Sequence, residues 1–381
     1  MGRLTDINFQ RIEWCCEDFG IALEQLSVEA GISLSSLERA RDEKTGLTFK
    51  QLQRIAGFFG RGILFFFERQ SPKDDSVHSP QFRTIANQKL DISPNIRKLI
   101  ERVERQRELY LGLLEEIDAD IATFDVPQVP LKDPVKSAEI VREWLGLKGR
   151  STFDEFRLAL EEKGCLVFRT NGYKGEWQIP KSSPIMGFSL YDRQNPIILV
   201  RKSSSESSQN FTLMHELGHI ILHRESSIDD SDDINSYEGI EREANIFAGC
   251  ILLPDDELSL IPSNEIPDQI EFVDDWCKKY RKRWGVSSDV ILLRLIQRGL
   301  IDTSIYNEFV AWREQQTYEE RSGGSREWRH REPIHIFGEG YVRTVLSALN
   351  GNMITLNKAS GYLDGLKVKD IHKLEEYYVR N

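Results

Sequence analysis

The stretch that most limits what this chain can be is Phe211-Thr-Leu-Met-His-Glu-Leu-Gly-His-Ile-Ile-Leu-His223. On a helix of about 3.6 residues per turn, His215 and His219 project from one face one turn apart, so both imidazoles reach a single ion. Glu216 sits beside that face. This H-E-x-x-H spacing lets two histidines bind Zn²⁺ while the glutamate serves as general base towards the water that the metal activates.

Two histidines are half of such a site, because a catalytic zinc normally takes a third protein ligand. Downstream of the acidic run Asp229-Asp230-Ser231-Asp232-Asp233 a second helix is expected over Glu241–Leu253, stopped by Pro254. Glu241 and Asn245 share a face of it, whereas Glu243 points roughly 160° away from Glu241. Only one of the two glutamates can be the ligand. Ala244, Ala248 and Cys250 to Leu253 make the rest of the helix apolar, which selects Glu241 and leaves Glu243 as the alternative. Small Ala244 and Ala248 would let the two helices approach closely. His223, one turn past His219, reads as a supporting or helix-end histidine. The H-E-x-x-H-x-x-G-x-x-H pattern would need glycine and histidine where Leu222 and Glu225 stand. The acidic run lacks EF-hand spacing and reads as a solvated loop.

The elements around this core predict an α+β architecture, mostly helical. Helices are expected over Val135–Leu145 and Phe153–Lys163, and strands over Cys165–Arg169, Ile185–Tyr191 and Pro196–Arg201, just before the histidine helix. Gly187 fits an edge strand beside which a peptide could add itself, or a plain bulge. The chain divides into 1–70, a compact helical module; 71–130, a linker with Phe82-Arg83 as its apolar anchor followed by a long amphipathic helix from Asn95; 131–301, the domain with the histidines; and 302–381, a polar linker with Gly323-Gly324 and a small helical module.

Within the first module, Ala22–Ala30, the turn at Gly31-Ile-Ser33 and Leu34–Arg41 have the form of a helix-turn-helix. Its second helix offers Ser35, Ser36, Arg39 and Arg41 to DNA or to a protein partner. Residues 1–70 hold nine Lys/Arg against ten Asp/Glu, so the module lacks the basic footprint of a strong DNA binder. A net charge of -11 likewise argues against a chain devoted to nucleic acid. The basic Lys278 to Arg283 run reads as a solvated face balancing the acidic residues before it. No apolar run approaches the roughly 18 residues that span a bilayer, and the N-terminus has no signal-peptide core; no membrane partner and a cytoplasmic location are the expectation. Five cysteines, an odd number without any C-x-x-C pair, give neither a disulfide framework nor zinc-finger spacing. His78, His330, His335 and His372 have no spacing logic.

Together, Phe211 to His223, the Glu241-x-Glu-Ala-Asn-x-Phe-Ala248 helix leading to Leu252-Leu-Pro254, and Trp284-Gly-Val-Ser287 before a helix ending in Arg298-Gly-Leu-Ile301 resemble the ImmA/IrrE-type metallopeptidases, zincins often fused to an XRE-like helix-turn-helix. The resemblance covers roughly residues 131 to 301. It implies a zincin-like fold, Zn²⁺ held by His215, His219 and Glu241, Glu216 as catalytic base, and a protein substrate: a repressor or antitoxin-like regulator encoded nearby. The alternatives are the toxin of a two-gene defence or toxin-antitoxin pair, and a non-catalytic DNA-binding regulator with a structural zinc.

Overall fold

The computed structural model describes residues 3–4, 6–42, 46–70, 93–150, 152–171, 175–234, 236, 238–262, 265–267, 269–315 and 326–380. The apolar anchor Phe82-Arg83, His78 and the Gly323-Gly324 linker lie outside the described residues. The chain forms two compact units, residues 1–102 and 103–381.

In the first unit, α1 (Phe9–Asp18), α2 (Leu23–Glu29), α3 (Leu34–Arg41) and α4 (Phe49–Phe59) enclose a core of Ile12, Leu26, Leu37, Leu52, Ile55, Phe59 and Phe66. Two short strands, β1 (Arg3–Leu4) and β2 (Leu47–Thr48), pair antiparallel. Thr48 opens α4 with a capping box to Gln51, and Gly60, at a φ of 66°, closes it in the left-handed conformation that an L-residue resists. α5 (Pro94–Glu116) begins in this unit, burying Ile96, Leu99 and Ile100 along one stripe.

The second unit is built on a four-stranded sheet of order β3-β5-β4-β6, with β3 (Leu166–Arg169) parallel to β5 (Ile197–Val200) and β4 (Ile185–Leu190) antiparallel to both β5 and β6 (Ser227–Asp230). β3 and β5 are runs of Leu, Ile, Val and Phe, buried apart from Arg169, as strands covered on two faces require. One face receives α8 (Glu206–Gly218). Against it lie α7 (Phe153–Glu161) and α10 (Gly239–Leu252), the latter entered through the short α9 (Ser231–Ile234) and covered by α6 (Pro134–Trp144). Leu213, Met214, Leu217, Val200, Phe247 and Ile251 share the resulting core.

The chain then continues through α11 (Asp255–Leu258), α12 (Val273–Trp284), α13 (Ser288–Gln297) and α14 (Thr303–Glu314). The basic residues of α12 meet acidic ones, Lys279 with Glu265, Arg281 with Asp274 and Arg283 with Glu257. All five cysteines are buried, free thiols. Among the described residues no helix is long and apolar enough to cross a membrane.

Two corrections concern the sheet. Ser227–Asp230 is a strand and not part of a solvated loop, because Ile228 faces the core while Ser227 and Asp229 alternate towards polar partners on α8. β6 in turn covers β4, so Gly187 does not lie at an edge open to a peptide. The ladder there shifts register between Ile185 and Gly187, the bulge that was the other expectation.

α15 (Glu332–Phe337), α16 (Glu339–Asn350), α17 (Leu356–Tyr362) and α18 (Val368–Arg380) complete the unit. The buried Arg157 guanidinium donates to the carbonyls of Ile334 and His335, and Phe337 packs edge-on against Phe168 and Trp177. His335 Nε2 donates to the Thr170 carbonyl at 3.1 Å. Burial, reinforced by Arg169, Lys202 and Arg157, pushes its imidazolium down to about 2. Below pH 6.5 the unfolded chain therefore takes up a proton that the native state refuses. The stability this site contributes is complete above pH 6.5 and is lost as pH falls towards 2, at about 1.4 kcal/mol per pH unit. Urea unfolding at pH 7 and pH 5 should show His335→Asn losing less stability than wild type by roughly that slope.

Candidate metal centre

α8 starts at Ser205, whose Oγ accepts the Ser208 N–H, and from Gln209 on it is almost wholly buried. It ends in a π-helical turn over His219–His223, closed by Arg224 at a φ of 57°. α8 and α10 touch through small residues. A Cβ on Gly218 would lie 3.2 Å from Ala244 Cα and from Phe247 Cδ1, so glycine on one helix answers alanine on the other.

That closeness brings the polar faces together. His215 Nε2 and His219 Nε2 are 3.1 Å apart, and Glu241 Oε2 lies 3.2 Å from the first and 3.3 Å from the second. Four donors about 2.0–2.1 Å from a tetrahedral zinc are separated by edges of about 3.3–3.4 Å, so the three atoms fit three vertices of such a site. Among the described residues, the buried Glu241 Oε2 has no donor in hydrogen-bond geometry and faces only the two Nε2 atoms.

The outward nitrogens are held from behind. His215 Nδ1 pairs with Asn245 Oδ1 at 2.8 Å, and Asn245 Nδ2 donates to the Ser236 carbonyl. His219 Nδ1 meets His223 Nδ1 at 3.1 Å, and His223 Nε2 donates to Glu243 Oε2 at 3.1 Å. The two glutamates thus separate: Glu241 faces the Nε2 atoms and Glu243 supports His223. Such partners fix ring orientation and leave both Nε2 lone pairs free for an ion.

Glu216 is fully buried. Its Oε2 accepts the Ser227 hydroxyl at 2.8 Å, while Oε1 has no partner among the described residues. Burial, with the nearby Asp229 charge, holds its carboxyl well above the usual carboxylate range. Gly187 makes room for it, since a Cβ there would stand 3.0 Å from Glu216 Oε1, 2.8 Å from Thr212 Cγ2 and 3.0 Å from the Leu199 carbonyl.

Sequence reasoning missed Asp229. Its Oδ2 lies 3.5 Å from His215 Nε2 and 3.6 Å from His219 Nε2, the residue is 2 % exposed, and Ser227 Oγ approaches it at 3.2 Å. Among the described residues, His215, His219, Asp229 and Glu241 form a group able to hold a metal ion. Burial alone would lower the His215 imidazolium, but Asp229 and Glu241 lift it to about 9. Burial would also raise the Glu241 carboxyl, yet the two histidines bring it down to about 2.

The other candidate contacts lie together on α3, in the first unit. Ser36 Oγ is 2.7 Å from Ser33 Oγ, Ser35 Oγ donates to Ser33 Oγ, Arg39 Nε donates to the Ser35 carbonyl and Arg41 pairs with Asp42.

Residues 179–295 match the family model Peptidase_M78, described as an IrrE N-terminal-like domain. The chain is also 37 % identical over 73 residues to an uncharacterized immunity region protein 2 of Bacillus phage phi105. That similarity covers 19 % of this chain and 46 % of the relative, less than half of the relative's length.

Proposed function

We propose that this chain, whose residues 179–295 match the IrrE N-terminal-like peptidase family model, is a zinc-dependent endopeptidase that cuts a partner regulatory protein of the repressor or antitoxin kind. One observation carries the reading: His215 Nε2, His219 Nε2 and Glu241 Oε2 form a triangle of 3.1, 3.2 and 3.3 Å edges, beside a buried carboxylate with one free oxygen.

His215, His219 and Glu241 would hold the ion, and zinc bound there would supply Lewis-acid polarisation of the scissile carbonyl and a lowered pKa of water, about 7. Glu216 accepts the proton of the attacking water on Oε1, Ser227 keeping the other oxygen in place, and then delivers it to the leaving amine. The likeness to a protein from a phage immunity region supports a regulator as substrate. α3, with Ser35, Ser36, Arg39 and Arg41, serves to dock a partner protein or DNA.

Incubating the zinc-loaded protein with the regulator encoded beside its gene tests this. The expected result is a single cut that disappears on chelation and returns with zinc; an intact regulator under all conditions contradicts it. In the same preparation, His223→Ala should weaken zinc binding about 10- to 100-fold in a chelator competition, since it removes only the support behind His219.

A second reading, a regulator with a structural zinc, draws on Asp229, because four protein ligands are the mark of a structural site. Cleavage of the regulator excludes it.

A further inference from the structure

We propose that Asp229 is a fourth protein ligand that closes the metal site in the resting protein, so that the peptidase is latent until β6 moves and Asp229 gives way to water. The inference rests on the metallopeptidase reading above and adds regulation to it.

Two of the three edges from Asp229 are close to those of a fourth vertex, and the four ligand atoms all lie within 4.8 Å of one another. Asp229 Oδ2 stands 3.5 and 3.6 Å from the two Nε2 atoms, only slightly beyond the edges of the triangle that they form with Glu241 Oε2. A buried carboxylate costs several kcal/mol unless it is compensated. Among the described residues, the Ser227 hydroxyl approaches Asp229 Oδ2 at 3.2 Å, and Ser227 also serves Glu216. Two imidazole nitrogens and a metal between them supply what that hydroxyl alone does not. Glu216 Oε1 is fully buried and has no partner among the described residues, so the base is in place while the position a water would take is filled.

The element that carries Asp229 is suited to release it. β6 is four residues long, pairs on one side only, with β4, and forms the edge of its sheet. Its inward residues are Ser227 and Asp229, held by polar contacts, and Ile228 is its one apolar anchor. Edge strands with few apolar contacts open at lower free-energy cost than the central strands they flank. An extended segment of a partner pairing along this edge, or replacing β6 on β4, would carry Asp229 off the metal as it delivers a peptide bond to it. Substrate and activator are then the same chain.

Co²⁺ substitution of the full chain reads the ligand set without reference to turnover. Expected for wild type is a visible spectrum that is constant between pH 6 and 9 and unchanged by azide. Asp229→Ala, with an open position, should show a spectrum that titrates with pH and shifts with azide, and an affinity for zinc reduced at least about 10-fold, the lower bound for removing a group that only supports a ligand. Asp229→Asn serves the same comparison should the alanine variant fail to fold. A wild-type cobalt spectrum that titrates and takes azide as the variants do overturns the fourth-ligand assignment while leaving the metallopeptidase reading intact. Failure of the wild-type chain to bind Co²⁺, or binding undiminished in His219→Ala, overturns both.

Discussion

Replacing His219 by alanine is expected to strip the protein of its metal and of its peptidase activity together. The imidazole is 1 % exposed, and its two nitrogens join both halves of the site: Nε2 faces His215 and Glu241, and Nδ1 leans on His223. Alanine removes one of the two imidazole donors and leaves the buried Glu241 oxygen with a single nitrogen opposite. The loss in zinc affinity should exceed the roughly 100-fold upper range seen when only a supporting hydrogen bond is removed. A competition titration against a chromophoric chelator measures it. Thermal melts give a second readout, because an ion at 100 times its Kd adds about 2.7 kcal/mol to the native state. Zinc should raise the melting temperature of wild type and leave that of His219→Ala unmoved.

The largest effect on folding is expected from Gly187→Val. The strand passes so close to α8 that even a Cβ meets Thr212 Cγ2 at 2.8 Å and the Leu199 carbonyl at 3.0 Å. The second of these is backbone of the neighbouring strand and cannot swing away. Overpacking a filled core costs about 1–3 kcal/mol, and a branched side chain at a β4 position between β5 and β6 should reach or pass the top of that range. Urea denaturation reads the cost as a lower midpoint with unchanged slope. The folded fraction should also hydrolyse poorly, because the same Cβ lies 3.0 Å from Glu216 Oε1 and would displace the carboxylate that moves the proton.

What could be read from the sequence was what helical and strand periods control. His215, Glu216 and His219 sit within five residues, so their relative placement follows from 3.6 residues per turn alone. Glu241 was reachable by one further step: Asn245 shares its face, and an otherwise apolar helix has one polar side to bury. The β-branched runs of β3 and β5 announced themselves likewise. Asp229 was hidden because its neighbours Asp230, Asp232 and Asp233 give the segment the composition of a surface loop, and only the pairing of Ser227 with Ser189 and Ile228 with Phe188 turns it inward. Such register is a long-range fact. The π-helical turn over His219–His223, within which His223 meets His219, has no local signature either. Gly187 was visible as an unusual residue in a strand, but the reason for it, the carboxylate of a helix passing over that strand, appears only once sheet and helix are stacked.

The central claim is that Glu216 moves the proton for peptide hydrolysis at a metal held by its neighbours. It is tested most directly by Glu216→Gln, loaded with one zinc per chain and set against the partner regulator beside the zinc-loaded wild type, with cleavage followed by intact mass. Glutamine keeps the size of the side chain and a hydrogen bond to Ser227 but cannot take a proton. The account predicts full zinc occupancy with the cleavage rate reduced about 10²- to 10⁴-fold, the usual contribution of a positioned acid–base group. Cleavage by Glu216→Gln at the wild-type rate would contradict it.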